Sequence, residues 1–229
     1  MKAISVIICA YNEEKTISSV IESTNNCSYI DEIVVVNDGS TDRTGQIIGH
    51  LSESIDLTYI NILPNRGKGY SMASGLELST GKIIVFLDAD IVDLSYLHIN
   101  TLLLPVLKGD ADMVMGQPGE TFIHARYNPF KFLTGQRAVK REHIIPIMES
   151  IRFTRFGVET YINLYYISKY LNIRCVILEG LVHRTKFGKM KKGKAIIELL
   201  RELKEIMVTL FENTDLVNKS ILRYLKQNV

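Results

Sequence analysis

Ile83-Ile84-Val85-Phe86-Leu87-Asp88-Ala89-Asp90 decides how the rest of the chain reads. Ile83 to Leu87 is a short apolar run, too brief and too β-branched for a helix, and it fits a strand buried on both faces. It ends in two carboxylates one residue apart. Desolvating an unpaired charge is costly, so paired acids at a buried strand end call for a partner. A divalent cation is one such partner. Asp-x-Asp at a strand end offers hard oxygen ligands and leaves room for water, which suits Mg²⁺ or Mn²⁺ set against a diphosphate. Alone, the motif also fits a strand-to-loop turn with solvated acids.

Upstream, strand-like and helix-like segments alternate. Strands are expected at Ile4 to Cys9, Glu32 to Val36, Leu57 to Ile62 and Lys82 to Leu87. Helices are expected at Glu13 to Cys27, Thr41 to Ser54, Gly69 to Leu78 and Tyr96 to Leu107, the last leading to Met113-Val114-Met115. Such alternation with short connections implies βαβ units and a mostly parallel sheet with helices on both faces. Ligands of such sheets bind off the carboxyl ends of the strands. Those ends carry Ala10-Tyr11-Asn12-Glu13-Glu14, Asn37-Asp38-Gly39-Ser40-Thr41-Asp42, Asn65-Arg66-Gly67-Lys68-Gly69 and Asp88-Ala89-Asp90. The four tips are expected to converge on one crevice. Each also has a plainer reading: Asp38-Gly39-Ser40 is good turn chemistry, with Ser40 or Thr41 as a helix cap.

Composition bounds the rest. The chain has 229 residues, 46% of them hydrophobic, enough for a full core. Its 27 basic and 25 acidic residues nearly cancel, so net charge names no partner and gives no sign of nucleic acid. Cys9, Cys27 and Cys175 show no paired spacing and two lie in apolar runs, which fits buried, reduced thiols and a cytoplasmic setting. The opening Met1-Lys2-Ala3-Ile4 runs straight into a strand and does not read as a signal peptide. No apolar stretch reaches the ~18 residues of a membrane span.

Taken together, the four tips resemble the family 2-type glycosyltransferases of the GT-A fold, which move a sugar from a nucleotide diphosphate sugar. The likeness rests on Ser5-Val6-Ile7-Ile8-Cys9-Ala10-Tyr11-Asn12-Glu13-Glu14, Glu32-Ile33-Val34-Val35-Val36-Asn37-Asp38-Gly39-Ser40-Thr41-Asp42, Asn65-Arg66-Gly67-Lys68-Gly69 and Asp88-Ala89-Asp90. Asn37 departs from it, since the family often has a second Asp there. The second half is looser: Leu133-Thr134-Gly135-Gln136-Arg137-Ala138, Phe156-Gly157-Val158-Glu159-Thr160 and Val182-His183-Arg184 resemble the acceptor half of the glucosyl-3-phosphoglycerate synthase branch. Polyprenyl-phosphate sugar transferases carry related pieces. That branch's phosphoglycerate-binding residues find no match here, so the acceptor stays open, between an anionic small molecule and a lipid phosphate.

The resemblance implies a hexosyltransferase using a UDP-sugar, with UDP-glucose the model donor, and a divalent metal, Mg²⁺ or Mn²⁺. Residues 1–192 would form the GT-A domain, with 1–115 binding the nucleotide sugar and 116–192 the acceptor, and 193–229 a helical extension. Ala10, Tyr11, Asn12, Glu13, Asp38, Lys68, Asp88 and Ala89 would bind the donor. The Tyr11 ring can lie on a uracil, Asp38 can accept from the base or ribose, and Lys68 can reach nucleotide oxygens from a glycine-flanked loop. Asp88 would take ribose or a metal-bound water. Asp90 would hold the metal directly, with His183 as a further ligand. Thr134, Gly135, Arg137 and Arg184 would face the acceptor; the two arginines match phosphate geometry and could hold an anionic acceptor or the diphosphate, and they also fit plain surface salt bridging.

Glu159 is the expected catalytic acid beside the sugar, with Asp90 acting through the metal. Two roles stay open for Glu159: general base on the acceptor in an inverting enzyme, or a carboxylate orienting the charged sugar in a retaining one. It also fits a first-turn acid complementing a helix dipole. Gln117 to Phe132 reads as a long loop of the lid type. Ile177 to Val182 reads as one strand-like run before His183. Arg184, Lys186, Lys189, Lys191, Lys192 and Lys194 form a basic run before amphipathic helix. That tail reads as packing on the domain or on a second copy, or as peripheral contact with an anionic membrane face.

Two rival functions fit parts of the same pattern. Leu87-Asp88-Ala89-Asp90-Ile91-Val92 also looks like the nucleophile motif of haloacid dehalogenase-type phosphohydrolases, which place it on their first strand. A non-catalytic sugar-nucleotide binding module would not need the full set of Lys68, Asp88, Asp90 and Glu159.

Overall fold

The computed structural model describes residues 3–119, 134–154, 157–183, 203–204 and 206–227. The first half alternates β1 (Ile4–Ala10), α1 (Ile17–Asn25), β2 (Glu32–Asn37), α2 (Thr44–Leu51), β3 (Thr58–Asn61), α3 (Lys68–Leu78) and β4 (Ile83–Asp88). Then come β5 (Ile91–Val92), α4 (Tyr96–Leu107), β6 (Met113–Pro118) and β7 (Arg137–Lys140). Helical turns at Arg141–Ile144 and Ile145–Ile147 lead into α5 (Met148–Phe153), followed by α6 (Val158–Ser168), β8 (Ile173–Leu178), β9 (Val182–His183) and α7 (Thr214–Gln227).

Seven strands form one sheet in the order β3-β2-β1-β4-β7-β6-β8. The first four are mutually parallel, β7 runs antiparallel to β4 and β6, and β8 is parallel to β6. Because the strands are apolar on both faces, they feed two cores. Ile4, Val6 and Ile8 meet Val20, Ile48 and Leu102 of α1, α2 and α4. Ile7, Val34 and Phe86 meet Met72, Ile151 and Ile162 of α3, α5 and α6.

Helix α3 lacks a clear apolar stripe, and its small residues explain why it still packs. Ser71, Ala73, Ser74 and Gly75 are buried, and a Cβ on Gly75 would lie 2.4 Å from Ile7. The helix therefore lies close on the sheet and carries its first residue, Lys68, to the sheet edge.

Several boundaries move from their expected places, each for a local reason. Helix α1 runs from Ile17 rather than Glu13: Glu13 heads a turn whose carbonyl accepts from the Thr16 and Ile17 amides, while the Glu13 and Glu14 amides donate to Thr44 Oγ1 and Asp42 Oδ2 of the next tip. Helix α2 starts at Thr44, so neither Ser40 nor Thr41 caps it; the Ser40 hydroxyl donates to Asn37 Oδ1. Gln117 and Pro118 extend β6 rather than opening a loop, and the expected loop residues 120–132 lie outside the described residues. Ile177 to Val182 is two strands, split by a turn at Glu179–Gly180 where Gly180 takes φ +80°.

Cys27 is buried, Cys9 half-buried and Cys175 exposed. The exposure of Cys175 corrects the expectation of burial: β8 is an edge strand, paired on one side only. Helix α7 packs on α6, with Arg223 donating to the Ile167 carbonyl at 2.9 Å and its guanidinium 5.1 Å from the Tyr170 ring centre. That helix face therefore lies on the domain. The basic run from Arg184 to Lys194 lies outside the described residues. Among the described residues no helix is long and apolar enough to cross a membrane.

Candidate active site

The four parallel strand ends are side by side, and hydrogen bonds knit each tip to the next. At the first junction the Asn12 amide donates to Ser40 Oγ, and the Thr41 amide donates to Asn12 Oδ1 at 2.8 Å. Asn12 adopts φ +57°, a left-handed conformation that Asn tolerates. At the second junction Asp38, 4% exposed, accepts from the Arg66 amide at 2.7 Å, the Gly67 amide at 2.8 Å and Asn65 Nδ2 at 2.9 Å. Asp38 thus shapes the loop ahead of Lys68, and Gly67 at φ +94° completes the turn. Asn65 also donates to the Asp38 carbonyl at 2.8 Å, which makes it a structural partner within its motif.

At the third junction Lys68 Nζ lies 2.6 Å from Asp88 Oδ1 and 2.7 Å from Glu159 Oε1. The Lys68–Asp88 bond joins the third and fourth tips. The Lys68–Glu159 bond reaches α6, in the other half of the chain. Burial alone would lower the Lys68 pKa; the two carboxylates outweigh it and hold the ammonium above its ordinary range. Gly69 makes the approach possible, since a Cβ there would fall 1.9 Å from the Thr154 carbonyl at the end of α5.

Asp88 is held from below as well. Gln136 Nε2 donates to Asp88 Oδ2 at 3.0 Å, and a Cβ on Gly135 would lie 2.2 Å from both Asp88 oxygens. Gly135 therefore sits against the carboxylate. Gln136 was missed: a neutral amide in Leu-Thr-Gly-Gln-Arg carries no sequence signal of its own.

Arg137 does not face the crevice. It is wholly buried between the sheet and α6, donating to the Thr134 carbonyl at 2.6 Å and to Asn163 Oδ1 at 3.4 Å. Its position in β7 opposite Phe86 turns the side chain into the core. Burial pulls its pKa below the ordinary guanidinium value, while Glu159 and Asp88 oppose that shift. The expectation of an acceptor-facing arginine at 137 is therefore corrected to a buried cation beneath Glu159. Arg184 lies outside the described residues.

Tyr11 is 49% exposed at the crevice mouth, next to buried Ala10. Cys9 lies opposite Asp88 in the β1–β4 ladder, on the crevice floor. Burial pushes its thiol up to about 12, with Asp88, Asp38 and Glu159 adding to the shift and Lys68 opposing it.

Asp90 follows Ala89, which is buried, and precedes β5. In the β5–β9 ladder Ile91 pairs with His183, so the backbone brings His183 beside the residue that follows Asp90. The turn leading to β9 is anchored by His98: the Ser95 amide donates to Nδ1 at 3.1 Å, leaving Nε2 to donate to the Glu179 carbonyl at 2.7 Å. No cluster of three acidic, His or Cys side chains suited to a metal occurs among the described residues, which do not include the His183 side chain.

A mostly parallel sheet with nucleotide-type tips on four adjacent strands, extended by an antiparallel strand, is the GT-A fold of nucleotide-diphospho-sugar transferases. The family description "Glycosyl transferase family 2" matches residues 5–168, and the chain belongs to that family. Glucosyl-3-phosphoglycerate synthase of Mycolicibacterium smegmatis is 33% identical over 114 residues, 48% of this chain and 38% of that protein. A probable glycosyltransferase of Bacillus subtilis, YdaM, is 44% identical over 94 residues, 38% of this chain and 22% of that protein. The matched segment is thus well under two thirds of these relatives' length. Among solved structures, glucosyl-3-phosphoglycerate synthase of Mycobacterium tuberculosis with Mn²⁺, UDP and glucosyl-3-phosphoglycerate superimposes with a TM-score of 0.70 at 24% identity. That superposition covers 92% of this chain and 79% of the other. The same enzyme with Mn²⁺, UDP-glucose and phosphoglyceric acid gives a TM-score of 0.71 at 24% identity, with the same coverage.

Proposed function

We propose that this protein is a metal-dependent hexosyltransferase that takes a sugar from a nucleotide diphosphate donor, a UDP-sugar, and passes it to an acceptor hydroxyl. The observation that carries this reading is Lys68 held between Asp88 and Glu159 at the carboxyl edge of the parallel strands. A cation there sits where one strand tip meets the acidic start of α6. Charge on a departing diphosphate would develop beside it, and a preorganised ammonium in a partly dry site stabilises such charge.

The other residues take roles around that centre. Tyr11 and Ala10 would receive the base, and Asp38 would shape the loop that presents Lys68. Asn12 and Glu13 would hold the first tip against the second. The donor set for a divalent ion fits in chemistry: the Asp90 carboxylate, with His183 brought alongside by the β5–β9 ladder. Asp88 has one oxygen on Lys68 and the other on Gln136, so it would reach the ion through water. The metal, when bound, would supply Lewis-acid neutralisation of the diphosphate. Glu159, at the first turn of α6, would face the sugar or the acceptor hydroxyl. Mn²⁺ and UDP in the Mycobacterium tuberculosis enzyme support this choice of cofactor and nucleotide.

The acceptor class stays with the two chemistries named from the sequence, an anionic small molecule or a lipid phosphate. A thermal-shift panel of nucleotide sugars with and without Mn²⁺ tests the donor reading, since a ligand that binds only the folded state raises its stability by linkage. Stabilisation by UDP-glucose only with metal supports it. Equal stabilisation by all nucleotides without metal, or none at all, contradicts it.

A further inference from the structure

We propose that Gln136 is a positioning residue of the transfer site: it fixes the direction of the Asp88 carboxylate and so decides where Lys68 sits. This rests on the glycosyl-transfer reading only for its consequence; the positioning itself is a property of the ligand-free protein.

The geometry is specific. Gln136 is fully buried, so its side-chain amide must find partners inside the protein. Nε2 donates to Asp88 Oδ2 at 3.0 Å. Oε1 lies 2.8 Å from Thr134 Oγ1, whose hydroxyl also lies 2.5 Å from the Gly116 carbonyl and can donate to only one of the two. Turning the amide over would set Oε1 against the carboxylate, acceptor against acceptor, so the Asp88 contact fixes its orientation. The backbone of Gln136 is fixed too, because its carbonyl accepts from the Gly116 amide at 2.9 Å. The amide therefore stands on a fixed base just ahead of β7.

Charge explains why the residue is neutral. Lys68 and buried Arg137 stand near Asp88 and Glu159 in one partly shielded cluster, two cations against two anions. Asp88 needs a second hydrogen bond to stop its carboxylate rotating about the Lys68 contact. A cation in that place would unbalance the cluster, and a carboxylate would repel Asp88. An amide supplies the bond without charge. Gly135 leaves the carboxylate its space, and Gln136 sets its angle.

Gln136→Met keeps the side-chain length and removes the donor. Two measurements decide the proposal. In a crystal structure of the ligand-free variant, the Asp88 carboxylate should be rotated from its present position and the Lys68–Glu159 contact lengthened; an unmoved carboxylate overturns the proposal, whatever the nucleotide does. By calorimetry with Mn²⁺ and UDP as probes, Gln136→Met should bind about tenfold more weakly than wild type. Beside Asp88→Ala it should add no further loss, because residues acting through one contact are non-additive. Wild-type affinity, or an undiminished further loss beside Asp88→Ala, overturns it. Should wild type itself fail to bind Mn²⁺ and UDP, the donor reading falls and the crystal structure alone judges Gln136. Thr134→Val guards against a misfolded Met variant: it frees Gln136 Oε1 without touching Asp88 and should shift the carboxylate and the affinity in the same direction, by less. No shift in either also counts against the proposal.

Discussion

The Lys68 ammonium lies 2.7 Å from Glu159 Oε1 and 2.6 Å from Asp88 Oδ1, so one cation ties the strand tips to α6. The three side chains are mostly shielded from solvent, which keeps the pairing from being screened like a surface ion pair.

Lys68→Met should weaken Mn²⁺-dependent UDP-glucose binding by about 1.5–3 kcal/mol, the scale of a hydrogen bond to a charged group. Calorimetry measures it directly. Lys68→Arg should not restore full affinity, because a planar guanidinium cannot take the place of a compact ammonium between two carboxylates. Wild-type affinity in Lys68→Met would remove Lys68 from the site.

Gly69→Ala should disturb the fold as well as the site. The new Cβ would fall 1.9 Å from the Thr154 carbonyl and 2.3 Å from that of Ile151, both backbone atoms that cannot swing away. A destabilisation of about 1–3 kcal/mol is expected, as for other overpacked sites. Denaturant unfolding followed by circular dichroism reads it, and an unchanged midpoint would mean that α3 and α5 are not in this contact.

Asp38→Ala should cost about 1–3 kcal/mol of stability, because it strands the buried Gly67 amide and the part-buried Arg66 amide. Asp38→Asn should recover only part, since its amide can accept on one oxygen but not on two. Urea melts of the three proteins test the order wild type, Asn, Ala.

Cysteine reactivity should follow environment. With its thiol pushed up to about 12, Cys9 stays protonated at pH 8.5, whereas Cys175 is exposed. Brief alkylation with iodoacetamide at that pH should mark Cys175 and spare Cys9, as peptide mass mapping will show. The folded protein holds the Cys9 proton more tightly than the unfolded chain does. Its contribution to stability is therefore whole below the ordinary thiol value of 9.0 and is lost as pH climbs through about 12. Rapid labelling of Cys9 at pH 8.5 would contradict this environment.

The sequence made the first half legible because each of its strands is a largely apolar run ending in polar turn residues. Ile83 to Asp90 alone placed the β4 edge, and the four tips fell on adjacent strands as expected. What it hid was tertiary. The Glu159–Lys68 pair joins residues far apart in the chain, with no local spacing to betray it. Gln136 acts through a buried amide that looks like turn chemistry in a linear reading. Arg137 is polar by type and core by position, because β7 is an inner strand between β4 and β6, buried on both faces where Arg137 falls. Cys175 sits in an apolar run but on an edge strand, and only the strand order shows that its side is open.

The central claim is a metal-dependent nucleotide-sugar site at the carboxyl edge of the parallel strands. Calorimetric titration of UDP-glucose into wild type and Asp90→Ala, each with Mn²⁺ and with chelator, tests it most directly. UDP-glucose should bind wild type in Mn²⁺, lose that binding in chelator, and show no Mn²⁺ dependence in an Asp90→Ala protein that still melts like wild type. Equal affinity for UDP-glucose in wild type and Asp90→Ala, both in Mn²⁺, would contradict it.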